Sequence, residues 1–295
     1  MKKKMDKKRK SKFSEKLFET LFFISACVAV LSVVAITVFV FWKGTPAIFE
    51  IGLIDFLSGA DWQPRGDIYG ILPMIVASIL STLGATIVGV LIGIFTAVFL
   101  AEIAPPKLSN IARSGIELLA GIPSVVYGFF GLMVIVPLIS NHLGGPGNSL
   151  LAIIFVLTVM ILPTIVSITE SSIRAVPKSY KEGSLALGAS HIQTIFKVMI
   201  PAARSGILAG VVLGIGRAIG ETMAVILISG NTPRIPTSVL DPVRTLTANI
   251  ALEMGYAAGL HQDALFATGV ILFVFIMILN LMLNVIVHKK AGEAK

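Results

Sequence analysis

Cysteine is nearly absent from this 295-residue chain: Cys27 stands alone, so no internal disulfide can brace its loops. Charge is scarce too. Asp, Glu, Lys and Arg make up 14% of the residues against 55% that are hydrophobic, a balance that excludes an ordinary water-soluble domain. The four histidines, His142, His191, His261 and His288, are scattered without metal-ligand spacing, and no metal site is expected. No nucleophile–base pair or paired carboxylate stands out, which argues against an enzyme. A G-x-x-x-x-G-K-[ST] sequence is also missing, so the chain cannot cradle nucleotide phosphates in that way. We find no repeat of fixed period, no low-complexity region and no segment that reads as a soluble domain.

What is present is a series of apolar runs, each long enough to cross a hydrocarbon core ~30 Å thick. They predict an all-α polytopic membrane protein with six transmembrane helices, at about 17–42, 69–100, 114–139, 150–167, 207–229 and 264–287. These form one transmembrane domain over 17–288, flanked by a basic tail at 1–16 and a short tail at 289–295. The first run is too long for a signal peptide and lacks a small-residue cleavage site, so it reads as an uncleaved anchor.

Basic residues set the orientation. Outside segments hold only Lys43, Arg65, Arg234 and Arg244, and Arg217 lies within a span. All the other Lys and Arg fall in inside segments, which predicts cytoplasmic N- and C-termini. The net charge of +8 therefore points to topology and anionic lipid rather than nucleic acid, because most of it clusters between Lys2 and Lys16.

The longest inside segment is 170–205. Within it, Ser179 with Glu182 and Ser190 with Gln193 each have capping-box spacing, Gly188 suits a left-handed turn, and Pro201 should end the second helix. A short helix, a glycine turn and a second helix are expected. Such a loop either packs on the membrane surface or offers its first helix to a groove on a soluble partner.

The span that follows reads GILAGVVLGIGRAIGE. On a continuous helix Gly206, Gly210, Gly214, Arg217 and Glu221 share one face. The glycine stripe is either a close helix contact or a gap in the wall of a path. In the second span Gly89 and Gly93 have the spacing of a close helix contact. Arg217 lies roughly 16 Å beyond Gly206, near the bilayer midplane. A charge at that depth costs about 2.5–3.5 kcal/mol on insertion scales and by default marks a polar pathway. Either Arg217 and Glu221 neutralise each other, or Arg217 faces a path and offers its guanidinium fork to an oxyanion while Glu221 holds it. Glu117 and Glu170 read as interfacial groups. Thr82, Thr86 and Ser124 are weaker path candidates, since such hydroxyls more often bond their own backbone.

Glu182, Gly188, Ile200 and Pro201 resemble the "EAA" loop of ABC importer permeases. GILAGVVLGIGRAIGETMAV and the earlier IPSVVYGFFGL are similar to phosphate importer permease subunits of the PstC type, over roughly 17–288. The resemblance implies a type I ABC importer (MetI-like) transmembrane domain in a bacterial or archaeal plasma (inner) membrane. It implies a second, PstA-type permease subunit, two copies of a PstB-type cytoplasmic ATPase and an extracytoplasmic PstS-type phosphate-binding protein. ATP and Mg would sit on the ATPase and no cofactor on this chain. Glu182, Gly188 and Pro201 would belong to the ATPase-coupling loop. One departure is that Gly183 and Ser184 stand where the motif has two Ala. A permease for another oxyanion or a phosphonate shares the fold, and an ion-coupled secondary transporter is the alternative of another class.

Overall fold

A computed structural model of the chain describes the backbone of residues 2–292 and the side chains of 15–282. Apart from Glu15 and Lys16, the side chains of the expected tails at 1–16 and 289–295 lie outside the described residues. The chain starts with the long helix α1 (Lys2–Ile51), then a short α2 (Leu53–Ser58) and a two-stranded antiparallel hairpin, β1 (Trp62–Gln63) and β2 (Ile68–Tyr69), in which Trp62 pairs with Tyr69. Helix α3 (Leu72–Val98) runs into a π-helical turn at Phe99–Ile103. Helices α4 (Pro106–Gly121), α5 (Ser124–Phe130) and α6 (Val136–Leu143) follow, then the central α7 (Leu150–Arg174). The loop segment folds as α8 (Lys178–Ala186), α9 (His191–Thr194) and α10 (Ile200–Ala202). The chain ends with α11 (Arg204–Gly220), α12 (Met223–Ile228), α13 (Leu246–Glu253) and α14 (Leu260–Gly292).

Helix α7 is apolar over most of its length and lies at the centre, with Ile153, Leu157, Met160, Ile161 and Ile165 buried. Helices α3 and α11 pack on it, and α1 packs on α14 at the periphery. Among the described residues, five helical stretches are long and apolar enough to span a membrane: Glu15–Ile51, Leu72–Ile103, Ser124–Leu143, Leu150–Arg174 and Leu260–Met282. A pair bent by 69°, His191–Ala202 with Arg204–Gly220, makes a sixth if it is counted as one broken span.

Two expected spans are cut differently. The run expected over 114–139 begins at Ser124 instead, because Ile122 and Pro123 are extended and end α4. Proline has no N–H to continue the ladder and pushes the residue before it out of the helical region. The run expected over 207–229 is two helices, α11 and α12, parted at Glu221 and Thr222. The Thr222 hydroxyl donates to the Gly220 carbonyl (3.2 Å), a local bond that competes with the helical ladder.

Candidate functional site

The two glycine rows converge on one helix. A Cβ at Gly93 would lie 2.7 Å from Ile165 of α7, one at Gly89 2.7 Å from Ile161, and one at Gly214 3.0 Å from Ile165. Gly210 faces Ile168, and Gly206 faces Ser172. Helices α3 and α11 thus approach α7 from two sides, closely enough that a side chain added at these glycines would have to displace its neighbour on α7. Between helices in lipid, such packing replaces the hydrophobic drive available in water. The stripe on α11 is a helix contact in this chain.

Arg217 follows that stripe and therefore also faces α7. Its Nη1 donates to Thr164 Oγ1 at 3.5 Å, a long bond. Thr164 lies roughly 15 Å along α7 from Arg174, which puts the guanidinium near mid-span. The side chain is half-buried, and among the described residues no ion pair involves it.

Glu221 does not lie on the Arg217 face of a continuous helix, because α11 stops at Gly220. Its Oε1 accepts the Ala224 N–H (3.0 Å) in the first turn of α12, where a carboxylate also meets the positive end of the helix dipole. Its carbonyl, freed by the break, accepts the Thr247 hydroxyl (2.9 Å). Helix α12 then packs on α5 where Gly128 leaves room; a Cβ there would lie 2.8 Å from the Ala224 Cα. Thr82 and Thr86 line an apolar crevice of about 220 Å³ with Ile215, Ile219, Phe275 and Leu279. Helical geometry puts Ile215 and Ile219 on the side of α11 opposite Arg217.

At the end of the bundle carrying α8, Glu182 and Gly188 are exposed and Leu187 is 90% exposed. Gly188 has φ +86°, the left-handed turn that ends α8. The capping box at Ser190 and Gln193 is formed in both directions, at 3.2 and 2.9 Å. The one expected at Ser179 and Glu182 is not, because α8 starts after Pro177, earlier than that spacing needs. Ser184, at a departure from the motif, bonds Thr194 across the turn (3.0 Å). Pro201 sits within α10, and the bend falls just after it at Ala203.

Three buried carboxylates carry networks that sequence reasoning missed. Glu170, expected at an interface with water, is only 4% exposed and receives Arg113 (2.5 Å) and Arg174 (2.9 Å). Glu117, by contrast, is exposed. Glu102, at the π-helical end of α3, receives Lys181 of α8 at 2.5 Å. At the opposite end of the bundle Glu253 accepts Trp62 Nε1 (2.9 Å) and Arg244 Nη1 (2.6 Å) and pairs with His261 Nε2 (2.8 Å). Burial pushes its carboxyl up, but the bonds from Trp62, His261 and Arg244 together outweigh burial and hold it below the ordinary range. Nearby Tyr69 is pushed up to about 12 by burial and by its bond to Asp67. The sequence did offer one local signal, the spacing of four between Glu170 and Arg174.

Residues 89–292 match the family described as "Binding-protein-dependent transport system inner membrane component". The chain belongs to this family. Among relatives of this permease, the "Probable ABC transporter permease protein YqgH" of Bacillus subtilis is 41% identical, with 87% of each chain covered. The "Phosphate transport system permease protein PstC" of Xylella fastidiosa is 33% identical, over 87% of this chain and 85% of that one. The protein of the same name from Mesorhizobium japonicum is 36% identical, over 74% and 73%. The fold is also that of a solved MetNI methionine ABC transporter chain in an inward-facing conformation, with a TM-score of 0.62 and 19% identity, covering 78% of this chain and 99% of that one. This permease is thus a membrane-embedded transmembrane subunit of an ABC importer with a MetI-like fold.

Proposed function

We propose that this permease carries inorganic phosphate into the cell by alternating access, and that Arg217 lines the path. The observation that carries the reading is the state of Arg217: at mid-span, half-buried, with one long hydrogen bond and no ion pair among the described residues. A cation in lipid normally neutralises itself locally. Arg217 does not, since Glu221 is committed to α12. A planar guanidinium fork suits phosphate bidentately, and the single weak bond to Thr164 leaves it free to engage an anion. Names of relatives support the choice of phosphate, since the 33% and 36% identical proteins are called phosphate transport system permeases.

The energy would come from ATP and Mg on two copies of a cytoplasmic ATPase that docks on α8, near Glu182 and Gly188. An extracytoplasmic phosphate-binding protein would deliver the anion, and a second, homologous permease subunit would complete the path in the plasma (inner) membrane. Arg217→Gln, with normal membrane insertion, is expected to abolish uptake of labelled phosphate. Wild-type uptake rates in that variant would sink the assignment of Arg217 to the path. Competition of uptake by other oxyanions and by phosphonates tests the substrate itself, because phosphate is expected to be the strongest competitor.

A further inference from the structure

Helix α8 contributes no buried residue of its own, so its hold on the bundle must come from elsewhere. Its covalent connections run back through residues 175–177 into α7 and forward through α9 and α10 into α11, the helix of Arg217. A further connection is ionic. Lys181 Nζ lies 2.5 Å from Glu102 Oε2, and His191 Nε2 of α9 lies 3.9 Å from the same oxygen. The Glu102 side chain is 8% exposed, and both partners come from the loop. Its position is unusual in a second way. It sits in the π-helical turn Phe99–Ile103, a geometry rare in helices and frequent at functional sites. The Leu100 carbonyl in the same turn accepts Arg174 Nη2 (2.8 Å) from the end of α7. A cavity of about 420 Å³ opens between these parts, lined in part by Glu102, Ile173, Lys181 and Met199.

From this arrangement we propose that Glu102 is a positioning residue for transport: it transmits movement of α8 to the end of α3. Withdrawing Lys181 would leave a carboxylate buried and unpaired, which is strongly unfavourable. The end of α3 therefore follows α8, or water enters the cavity. Helix α3 packs on both α7 and α11, so movement of α8 reaches the walls around Arg217 through this ion pair as well as through the backbone links to α7 and α11.

The inference rests on the docking of an ATPase at α8 and is tested in the complete complex. Permease pair, ATPase and binding protein are reconstituted in liposomes, and phosphate-stimulated hydrolysis is measured together with uptake. Glu102→Gln is expected to assemble normally and to keep unstimulated hydrolysis, yet to lose stimulation by about tenfold, because a neutral amide has no charge with which to hold Lys181. Lys181→Arg keeps the charge and is expected to retain coupling. The exchange Glu102→Lys with Lys181→Glu is expected to recover most of the stimulation lost in Glu102→Gln. Wild-type stimulation in Glu102→Gln overturns the inference, as does an exchange that assembles but recovers nothing. A wild-type complex that neither hydrolyses ATP nor transports would instead overturn the docking reading itself, and this inference with it.

Discussion

Arg217 and Glu221 are four residues apart, yet one backbone break gives them different roles. A continuous helix would stack them and cancel their charges. With α11 ended at Gly220, the carboxylate caps α12 and the guanidinium is left to face α7. Glu253 shows the opposite economy, with three side chains converging on one carboxylate. Its carboxyl is held below the ordinary value of 4.5, so the folded state binds fewer protons than the unfolded one near that pH. The stabilisation is fully present above the unfolded value and is lost as pH falls through the lower, folded value. The thermal stability of the solubilised protein is expected to fall as pH drops below 4.5, and Glu253→Gln should flatten that part of the profile. An unchanged profile in the variant would show that another group carries the acid sensitivity.

Among the elements, the α8–α10 segment depends on local signals at its turn and on tertiary contacts at its ends. The Ser190 hydroxyl accepts the Gln193 N–H, Gln193 Oε1 accepts the Ser190 N–H, and Gly188 supplies the left-handed residue. Ser190→Ala is expected to cost about 0.5–2 kcal/mol at the start of α9. Amide hydrogen exchange should then quicken at Gln193 and Thr194, with little change in α7. Protection that stays at the wild-type level would mean that Ser184–Thr194 and the Glu102 pair hold the turn without the cap. The 69° bend after Pro201 lets a segment running along one end of the bundle turn into α11.

Across the whole molecule, ionic networks among the described residues flank a mid-span region in which Arg217 has no ion-pair partner. Glu102 and Glu170 tie α3, α4, α7 and α8 at one end, and Glu253 ties the hairpin, α13 and α14 at the other. The outer helices α1 and α14 present apolar side chains such as Phe22, Val30, Ile36 and Met277 outward, as a lipid-facing surface requires. Orientation can be tested on this frame. In a Cys27→Ser background, Leu187→Cys and Tyr256→Cys mark opposite ends of the bundle at exposed positions. A membrane-impermeant maleimide applied to intact cells is expected to label the Tyr256→Cys variant and spare the Leu187→Cys variant. The reverse pattern would place α8 outside the cell and end the proposal that an ATPase docks there.

The class of protein and the series of spans were legible in the sequence because a lipid solvent imposes long apolar runs that no local context can disguise. The Ser190 cap and the Gly188 turn were legible for a related reason: each depends on a few neighbouring residues. Tertiary structure decided the rest. The break at Glu221 was set partly by Thr247 of α13, which satisfies the freed carbonyl. The carboxylate networks join residues 57, 79 and 191 positions apart, as in Arg113–Glu170, Lys181–Glu102 and Trp62–Glu253. Sequence shows that such charges exist near apolar segments. Which charge is buried, and against which partner, is settled only when distant helices pack, because a carboxylate stays ionised out of water only where folding brings it cations and hydrogen-bond donors.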